Sequence, residues 1–407
     1  MDQQVSCAIA GGGPAGLMLG VLLARAGVKV AVLEKHADFL RDFRGDTIHP
    51  STMSVMDELG WLDEFLKLPH TRVPDLAAQF GNQRLRMVDF SRLAVKAPFI
   101  AMMPQWDFLD FLADKGRSYP NFTLRLETEA VDVRYSNGSI TGVIAETRQG
   151  REEWTADLVV AADGRGSAVR AAAGLVPEEF GAPMDVLWFR LPREPGDTDE
   201  TQGRFDAGRI FIMLNRGDYW QCAFVIPKGG NDRVRAAGLA AFRAGMAPLL
   251  PFEPARAEAI TDWDQVKLLT VKVDRLQQWA KPGLVCIGDA AHAMSPVGGV
   301  GINLAIQDAV AAANLLGQPL REERLTFADV EKVQARRDFP TRMTQRLQLT
   351  MQNNIIAPSL AATGPLVPPW PLRILTKTPF LRDLPARLIG LGVRPEHVAG
   401  FIREGRG

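Results

Sequence analysis

The sequence has no excess of charge of either sign and no block of five or more like charges. Lysine and arginine together number 47, and so do aspartate and glutamate. A chain with zero net charge has no long-range field that would attract phosphate backbones or anionic lipid. We therefore expect no nucleic-acid partner.

Cysteine is scarce and scattered. Cys7, Cys222 and Cys286 each lie in an apolar, strand-like run, which is typical of reduced and buried thiols. No disulfide framework is expected, and the lack of a C-x-x-C pair excludes the flavin reductases that use two thiols. Because cysteine and histidine are nowhere clustered at ligand spacing, no metal site is expected.

One stretch without charge, residues 7–24, is long enough to suggest a membrane segment. It is interrupted by three consecutive glycines and by Pro14, no basic residue precedes it, and no small-residue cleavage site follows it. We expect no transmembrane segment and a cytoplasmic protein.

The same stretch contains a glycine-rich turn between an apolar strand at residues 5–10 and a helix that starts near Pro14. Gly11, Gly13 and Gly16 match the pattern G-x-G-x-x-G, with Ala15 inside it. Because glycine has no side chain, a pyrophosphate can approach the backbone at the helix N-terminus. The turn therefore predicts a dinucleotide site.

Glu34 ends the second apolar strand, 18 residues after Gly16. A carboxylate at this place accepts hydrogen bonds from both hydroxyls of an adenosine ribose and repels a 2′-phosphate. The pair of features favours FAD or NAD over NADP as the tightly bound nucleotide.

The remaining chain predicts a second domain. Strand-like runs at residues 184–191, 209–215 and 219–226 indicate a separate sheet, and the parallel-sheet pattern resumes at residues 284–287. The expected division is a discontinuous cofactor-binding domain over residues 1–75, 100–178 and 266–335, a substrate-binding β-sheet domain over residues 76–99 and 179–265, and a C-terminal helical, proline-rich tail over residues 336–407.

Two further motifs select FAD over NAD. Asp163 and Gly164 follow one apolar strand, and Gly288 and Asp289 follow another, ahead of Pro296, a glycine run and a helix. With these motifs in this order, residues 5–316 resemble the class A, single-component FAD-dependent aromatic hydroxylases, a family that includes para-hydroxybenzoate hydroxylase and the ubiquinone-biosynthesis hydroxylases. The resemblance implies an α/β fold, with a Rossmann-like FAD-binding domain, an inserted antiparallel β-sheet substrate domain and a C-terminal helical tail.

The resemblance also implies roles for single residues. Asp289 would bind the ribityl chain, the glycine run would face the pyrimidine edge of the flavin, and Asp163 would serve the pyrophosphate and nicotinamide docking. Asn303 would either touch the flavin or cap a helix. The candidate FAD-binding residues are Gly11, Gly13, Pro14, Ala15, Gly16, Glu34, Lys35, Arg44, Gln105, Val131, Asp163, Gly288, Asp289, Pro296, Gly299, Val300, Gly301 and Asn303.

No single side chain is an obvious catalytic base. The candidates are His49, Arg44 and Pro296, and His292 is expected to order the loop after Asp289. The glycine run, together with residues 41–50, is expected to let the flavin move between two positions.

The function implied by the resemblance is an NADPH- or NADH-dependent FAD monooxygenase, a monomer or homodimer, that hydroxylates a phenolic, quinol or polyketide-like aromatic through a flavin hydroperoxide formed with molecular oxygen. A flavin-dependent halogenase is a second possibility, but residues 222–227 (CAFVIP) lack both tryptophans of the W-x-W-x-I-P sequence that halogenases use. A flavin-containing protein that sequesters a ligand without turnover is a third.

The expected substrate pocket is mostly apolar and suits a small aromatic or hydrophobic molecule. Alternation along residues 219–226 gives this strand two faces, and the same side chains could instead form ordinary core. The candidate lining residues are Trp188, Arg190, Phe211, Met213, Tyr219 and Gln221.

Overall fold

A computed structural model describes residues 3–40, 47–378 and 383–405 of the 407-residue chain. The strands, numbered along these residues, are β1 (Gln3–Ala10), β2 (Val30–Leu33), β3 (Thr47–Ile48), β4 (Thr71–Val73), β5 (Asp75–Phe80), β6 (Gln83–Asp89), β7 (Ile100–Met102), β8 (Phe122–Arg125), β9 (Thr128–Ser136), β10 (Ser139–Thr147), β11 (Gly150–Ala161), β12 (Pro177–Glu179), β13 (Met184–Pro192), β14 (Gln202–Asp206), β15 (Arg209–Asn215), β16 (Tyr219–Pro227), β17 (Lys267–Leu269), β18 (Asp274–Leu276), β19 (Ala280–Lys281) and β20 (Leu284–Cys286).

The helices over the same residues are α1 (Pro14–Arg25), α2 (Pro50–Glu58), α3 (Leu62–Phe65), α4 (Gln105–Arg117), α5 (Ala168–Ala172), α6 (Asn231–Ala236), α7 (Leu239–Met246), α8 (Gly301–Arg321), α9 (Phe327–Met351), α10 (Ala357–Ala361), α11 (Trp370–Lys377), α12 (Asp383–Ala386) and α13 (Gly400–Arg403). Short 3-10 helices at Gly288–Ala290 and Val297–Gly299 lie between β20 and α8.

The first sheet has a parallel centre in the order β20, β11, β1, β2, β8. Side chains alternate along β1, so Cys7 and Ile9 join a core built with α1, α4 and α8. Ala8 and Ala10 point to the other face and join the core under the β9–β10 hairpin. Both faces are therefore covered, which is why β2, β20 and residues 7–10 of β1 are wholly apolar in sequence.

The β9–β10 hairpin turns at Asn137 and Gly138. Asn137 and Gly138 both have positive φ, 50° and 81°, as a tight two-residue turn requires. β10 also pairs with the first half of β11, while the second half of β11 pairs with β20. One long strand therefore links the hairpin layer to the parallel sheet.

The second sheet has seven strands in the order β17, β13, β16, β15, β14, β5, β6. The predicted runs at residues 184–191, 209–215 and 219–226 are β13, β15 and β16. The expectation of a wholly antiparallel sheet is wrong at one place, because β14 and β5 pair in parallel. These two strands are far apart in sequence, so no tight hairpin fixes their relative direction.

Two predicted boundaries differ from the structure. β17 pairs with β13, so the second sheet reaches Leu269 and the boundary at residue 265 falls too early. α9 runs through residue 336, where the tail was expected to begin. In the first case the pairing with β13 assigns β17 to the second sheet, and in the second case α9 continues as one helix to Met351.

The helix of residues Val297–Arg321 is long and apolar enough to cross a membrane by length and composition. However, 72% of its apolar window is buried inside the protein. Such burial is the usual state of a core helix, so its hydropathy is weak evidence for a membrane segment.

A buried ionic network joins α8, α9 and the C-terminal segment. Asp308 accepts hydrogen bonds from His292 Nε2 (2.6 Å), the Gly288 backbone N–H (3.1 Å) and Arg337 Nε (2.8 Å). Burial opposes ionisation of Asp308, but His292 and Arg337 outweigh it and hold its pKa below the usual value. Arg337 also pairs with Glu396 at 3.5 Å, which ties the last described segment to α9.

We expect Asp308→Asn to lower the free energy of unfolding by about 3–5 kcal/mol, because it leaves the Arg337 guanidinium buried without its main counter-charge. Asp114→Asn, which removes an exposed pair with Arg117, should cost no more than about 1 kcal/mol. Chemical denaturation of both variants checks this. Equal losses would show that Asp308 is not a charged centre of the core.

Candidate functional site

The predicted cofactor motifs meet at one edge of the first sheet. β20, β11, β1 and β2 run parallel, so their carboxyl ends lie side by side. The Gly288–Ala290 turn, Asp163, the glycine turn and Glu34 follow these strands in that spatial order. Ligands of open α/β sheets bind at this edge.

The glycines of the first turn have different tasks. A Cβ at Gly11, whose φ is +98°, would lie 2.5 Å from the Ala162 carbonyl oxygen, and one at Gly16 would lie 1.9 Å from the Gly11 carbonyl oxygen. Those two positions need glycine for backbone packing. Gly13, at the N-cap of α1, has no other atom within 4 Å of a built Cβ. Open space therefore lies before the α1 N-terminus, which fits a pyrophosphate.

Glu34 is 7% exposed and is fixed beside this turn. Its Oε2 accepts from the Gly12 N–H at 2.8 Å, and its Oε1 accepts from the His36 N–H at 3.0 Å. A carboxylate held by backbone donors is oriented in advance for hydroxyl donors. The arrangement fits the adenosine end of FAD.

Two arginines connect the two aspartate motifs. Arg165 Nε donates to Asp289 Oδ2 at 3.0 Å, and Arg170 donates to the Ala290 and Arg165 carbonyl oxygens at 3.0 and 2.8 Å. Arg165 directly follows Asp163 and Gly164 in sequence, yet only the fold shows that its side chain contacts Asp289. The two loops are therefore joined by side-chain hydrogen bonds.

Asp163 is used by its own loop. Ser167 Oγ donates to Oδ1, and the Val169 N–H donates to Oδ2 at 3.3 Å. Burial raises the pKa of Asp163 above its usual value, with these donors opposing the shift. The Asp163 side chain thus fixes the conformation of the turn beside Gly11. Its effect on a pyrophosphate would be indirect, through the position of that backbone.

Asn303 uses all of its side-chain hydrogen-bonding groups within the protein. Its Oδ1 accepts from the His49 N–H at 2.8 Å and from Thr52 Oγ1 at 2.7 Å. Its Nδ2 donates to the carbonyl oxygens of Thr47 and Gly299 at 3.1 and 3.4 Å. Of the two roles open to Asn303 from sequence, the structure favours the structural one, since the amide fastens the chain before α2 to the start of α8.

The glycine run is in contact with the same segment. Gly298 and Gly299 have φ of +80° and +63°. A Cβ at Gly299 would lie 2.6 Å from Thr47 Oγ1, which donates to the Gly299 carbonyl oxygen at 2.8 Å. At Gly298 the nearest atom, Val300 Cγ1, is 3.7 Å away. A side chain at position 299 would therefore collide with Thr47, whereas a side chain at position 298 would enter open space.

His49 is fully buried at the N-cap of α2. Its Nδ1 donates to the Ile389 carbonyl oxygen at 2.8 Å, and its Nε2 has no partner among the described residues. Burial lowers the pKa of His49 to about 4, although the bond to Ile389 opposes the shift. The ring is neutral at pH 7.

The other candidates of the first domain occupy varied places. Arg44 lies outside the described residues. Lys35 is exposed and lies 3.6 Å from Glu129, Gln105 begins α4, and Val131 lies in β9. The remaining candidates surround the turns: Ala15 would contact a Cβ at Gly288 (3.1 Å), Pro14 begins α1, and Pro296, Val300 and Gly301 border the Val297–Gly299 turn.

The second sheet separates the six substrate candidates. Trp188 packs on a face that also contacts Val297. By strand alternation Arg190, Tyr219 and Gln221 are on that face as well. Phe211 and Met213 do not lie there, because their side chains pack in the opposite core with Phe242 and other residues beyond the sheet. Arg190 stacks on the Tyr219 ring, 4.4 Å from its centroid.

Several residues of the site have no sequence signal strong enough to find them. Thr47, Thr52 and Arg170 are tied to the motifs by hydrogen bonds that only folding brings together. Among the described residues, no group of three or more His, Cys, Asp or Glu side chains could hold a metal ion.

A family model described as "FAD binding domain" matches residues 4–346. The chain belongs to this family. Over 382 residues it is 29% identical to 6-methylpretetramide 4-monooxygenase of Streptomyces rimosus, covering 93% of this chain and 91% of that one. It is 26% identical to 3-demethoxyubiquinol 3-hydroxylase of Escherichia coli, covering 77% and 80%.

Among solved structures, the anhydrotetracycline hydroxylase OxyS of Streptomyces rimosus superposes with a TM-score of 0.76 at 20% identity, covering 97% of this chain and 77% of that one. This likeness supports the fold. The family and the relatives confirm the predicted class: the protein is an FAD-dependent aromatic monooxygenase, with NAD(P)H and oxygen as co-substrates.

His49 should make stability depend on pH. Because its pKa is near 6.5 in the unfolded chain and about 4 in the folded protein, the unfolded chain binds the extra proton first as the pH falls. Stability is then complete above pH 6.5 and is lost toward pH 4, by at most about 3 kcal/mol. His49→Asn, which keeps a donor for Ile389, should reduce this loss in denaturation curves at pH 7.5 and 5.

His36→Asn is the matched control, because His36 is exposed and should leave the pH dependence unchanged. If His49→Asn retains the wild-type difference between the two pH values, His49 is not the buried neutral group described here.

Proposed function

We propose that this monooxygenase hydroxylates a large, polycyclic or polyketide-like aromatic substrate bound between the second sheet and the turn at Val297–Gly299. The observation that carries this proposal is an apolar cluster on the Trp188 face of that sheet, which Ile356 and Leu360 of the C-terminal segment also contact. Its members include Met184, Val186, Ile210 and Ala223, with Trp188 and Val297 packed against it. A surface of this kind suits an extended ring system better than a small carboxylate.

FAD is held, in this proposal, at the carboxyl edge of the first sheet. The α1 N-terminus faces the pyrophosphate, Glu34 binds the adenosine ribose, and Asp289, oriented by Arg165, binds the ribityl chain. When bound, FAD would supply the redox chemistry, with NADPH or NADH as the source of electrons and molecular oxygen as the source of the transferred atom. The protein's task is to place the ring and exclude water.

Trp188 supplies a polar contact within the apolar surface. Its indole Nε1–H is buried and has no hydrogen-bond partner among the described residues. A buried donor without a partner is costly, and a substrate carbonyl or phenol oxygen would satisfy it. We infer that this donor orients the aromatic ring against Val297 and the flavin edge.

The names of relatives support this substrate class without fixing the compound. One relative acts, by its name, on 6-methylpretetramide and another on 3-demethoxyubiquinol. The choice between NADH and NADPH, the state as monomer or homodimer, and the cytoplasmic location are parts of the proposal that stay predictions.

The decisive experiment compares coupled turnover on two kinds of phenol. Purified enzyme with FAD, oxygen and NADH or NADPH is offered polycyclic phenols or para-hydroxybenzoate, and product and peroxide are measured separately. We expect hydroxylated product, formed without halide, with the polycyclic compounds. Product only with the small carboxylated phenol would overturn the substrate class, and binding without NAD(P)H consumption would indicate a sequestering protein.

Glu34→Gln should weaken FAD binding by about 10- to 100-fold, because a hydrogen bond to a charged group contributes about 1.5–3 kcal/mol. The glutamine retains one acceptor for a backbone N–H, so the turn itself should survive. Titration of the apoprotein with FAD gives the dissociation constant. Glu179→Gln changes an exposed acid and serves as control; the same affinity in both variants would contradict the ribose assignment.

Trp188→Phe should raise KM for the hydroxylated aromatic roughly five- to tenfold, because one neutral hydrogen bond is lost while the aromatic surface stays. FAD affinity should not change. Trp154→Phe is a matched control, since Trp154 also has a buried Nε1 without a described partner but lies in β11. An unchanged KM in Trp188→Phe would remove this contact from the proposal.

A further inference from the structure

The chain between the two turns at the flavin side is not part of any sheet. Residues 293–296 connect the Gly288–Ala290 turn to the Val297–Gly299 turn without regular secondary structure, and Pro296 already has helical dihedral angles (φ −67°, ψ −10°). At the start of this segment the Asp274 N–H donates to the Ala293 carbonyl oxygen at 3.3 Å. Residues 293–295 are buried, whereas residues 296–300 are half-buried. Buried backbone groups that lack a ladder must find other partners.

Side-chain amides of α9 and of the residue that follows it provide these partners. Gln348 Oε1 accepts from the Ser295 N–H at 3.1 Å, and its Nε2 donates to the Ser295 and Val297 carbonyl oxygens, both at 2.9 Å. Gln345 Nε2 donates to the Ala293 carbonyl oxygen at 3.2 Å. Gln352 Nε2 donates to Ser295 Oγ at 2.6 Å.

The three glutamines approach the segment from one side. Positions 345, 348 and 352 lie on one helix face, separated by about 4.5 and 6 Å along the axis. Gln345 and Gln348 bond backbone groups of residues 293, 295 and 297, and Gln352 bonds the Ser295 hydroxyl. The segment is therefore held along its length by one helix.

The three side chains are almost completely buried, with 1%, 3% and 0% exposure for Gln345, Gln348 and Gln352. A buried amide stabilises a fold only weakly when bonded and costs free energy when it is not. Apolar residues at these three buried positions would pack in the core without needing hydrogen-bond partners. The use of three amides here indicates that the backbone of residues 293–297 has to be held in one conformation.

We propose that Gln345, Gln348 and Gln352, here called the glutamine seam, are positioning residues for the flavin. The seam bonds residues 293–297 from the α9 side. In this proposal the half-buried surface of Pro296, Val297 and Gly298 faces the cofactor. Gln348, with three bonds to two residues, is its centre. The inference rests on the proposed placement of the flavin beside this turn.

The test compares two leucine substitutions on the same helix. Gln348→Leu keeps the approximate size and removes all three bonds to the segment. Gln334→Leu is the matched control, because Gln334 makes the same kind of bonds, from the Trp279 N–H (2.9 Å) and to the Gln277 carbonyl oxygen (2.7 Å), away from the turn. For each variant, the FAD dissociation constant, the flavin absorption spectrum, the peroxide yield per NAD(P)H and the melting temperature are measured.

We expect Gln348→Leu to weaken FAD binding about tenfold, to change the flavin spectrum and to raise the peroxide yield, whereas Gln334→Leu changes only the melting temperature. If Gln348→Leu does not fold, Ser295→Ala takes its place. Ser295→Ala removes the hydroxyl that accepts from Gln352. It should weaken FAD binding about threefold, with a correspondingly smaller change in the flavin spectrum and the peroxide yield.

Indistinguishable flavin properties in the seam variant and the Gln334 control would overturn the seam as a positioning device. The wild-type protein separates this from a failure of the proposed function. If the wild-type protein binds FAD and forms product while Gln348→Leu and Gln334→Leu have the same flavin properties, only the role proposed for the seam is wrong. If the wild-type protein forms no hydroxylated product, the proposed function is wrong.

Discussion

Close backbone contact at the carboxyl edge of the parallel sheet is the constraint on which the site depends. Gly11 touches the strand end at residues 162–163, Gly16 touches Gly11, and Gly288 approaches Ala15 and α8. A single methyl group at these positions would collide with backbone or with a helix. The absence of side chains brings four strand ends and two helix N-termini near one another, so that a long, anionic cofactor can lie across them.

The polar groups around that edge act mainly on the protein itself. Asn303, Arg165 and Arg170 use their donors and acceptors to join loops that are distant in sequence. Asp163 does the same within its own turn. Placement of the cofactor therefore results from a network of fixed loops, in which few side chains have to contact the cofactor directly.

Both faces of the second sheet are packed, but against different parts of the chain. One face, with Phe211 and Met213, packs against α7 and the chain around it. The opposite face, with Trp188, packs toward Val297 and toward Ile356 and Leu360 of the C-terminal segment. The alternation of side chains along each strand thus supplies two separate apolar clusters.

The sequence by itself determined the features that depend on neighbours along the chain. The strand-turn-helix unit, Glu34 after β2, and strands β13, β15 and β16 of the second sheet follow from local periodicity and turn chemistry. Only the tertiary structure decided that β14 and β17 join that sheet and which cluster each sheet face packs against, because alternation defines two faces without naming their partners.

Folding also decided the state of the buried polar groups. The burial that holds His49 neutral comes from distant chain, including Ile389, and Gln348 at a polar helix position gives no local sign that it pairs with residues 295–297 rather than with water. The physical reason is the same in both cases: desolvation and long-range hydrogen bonding are properties of packed surroundings, which a linear pattern of residues does not contain.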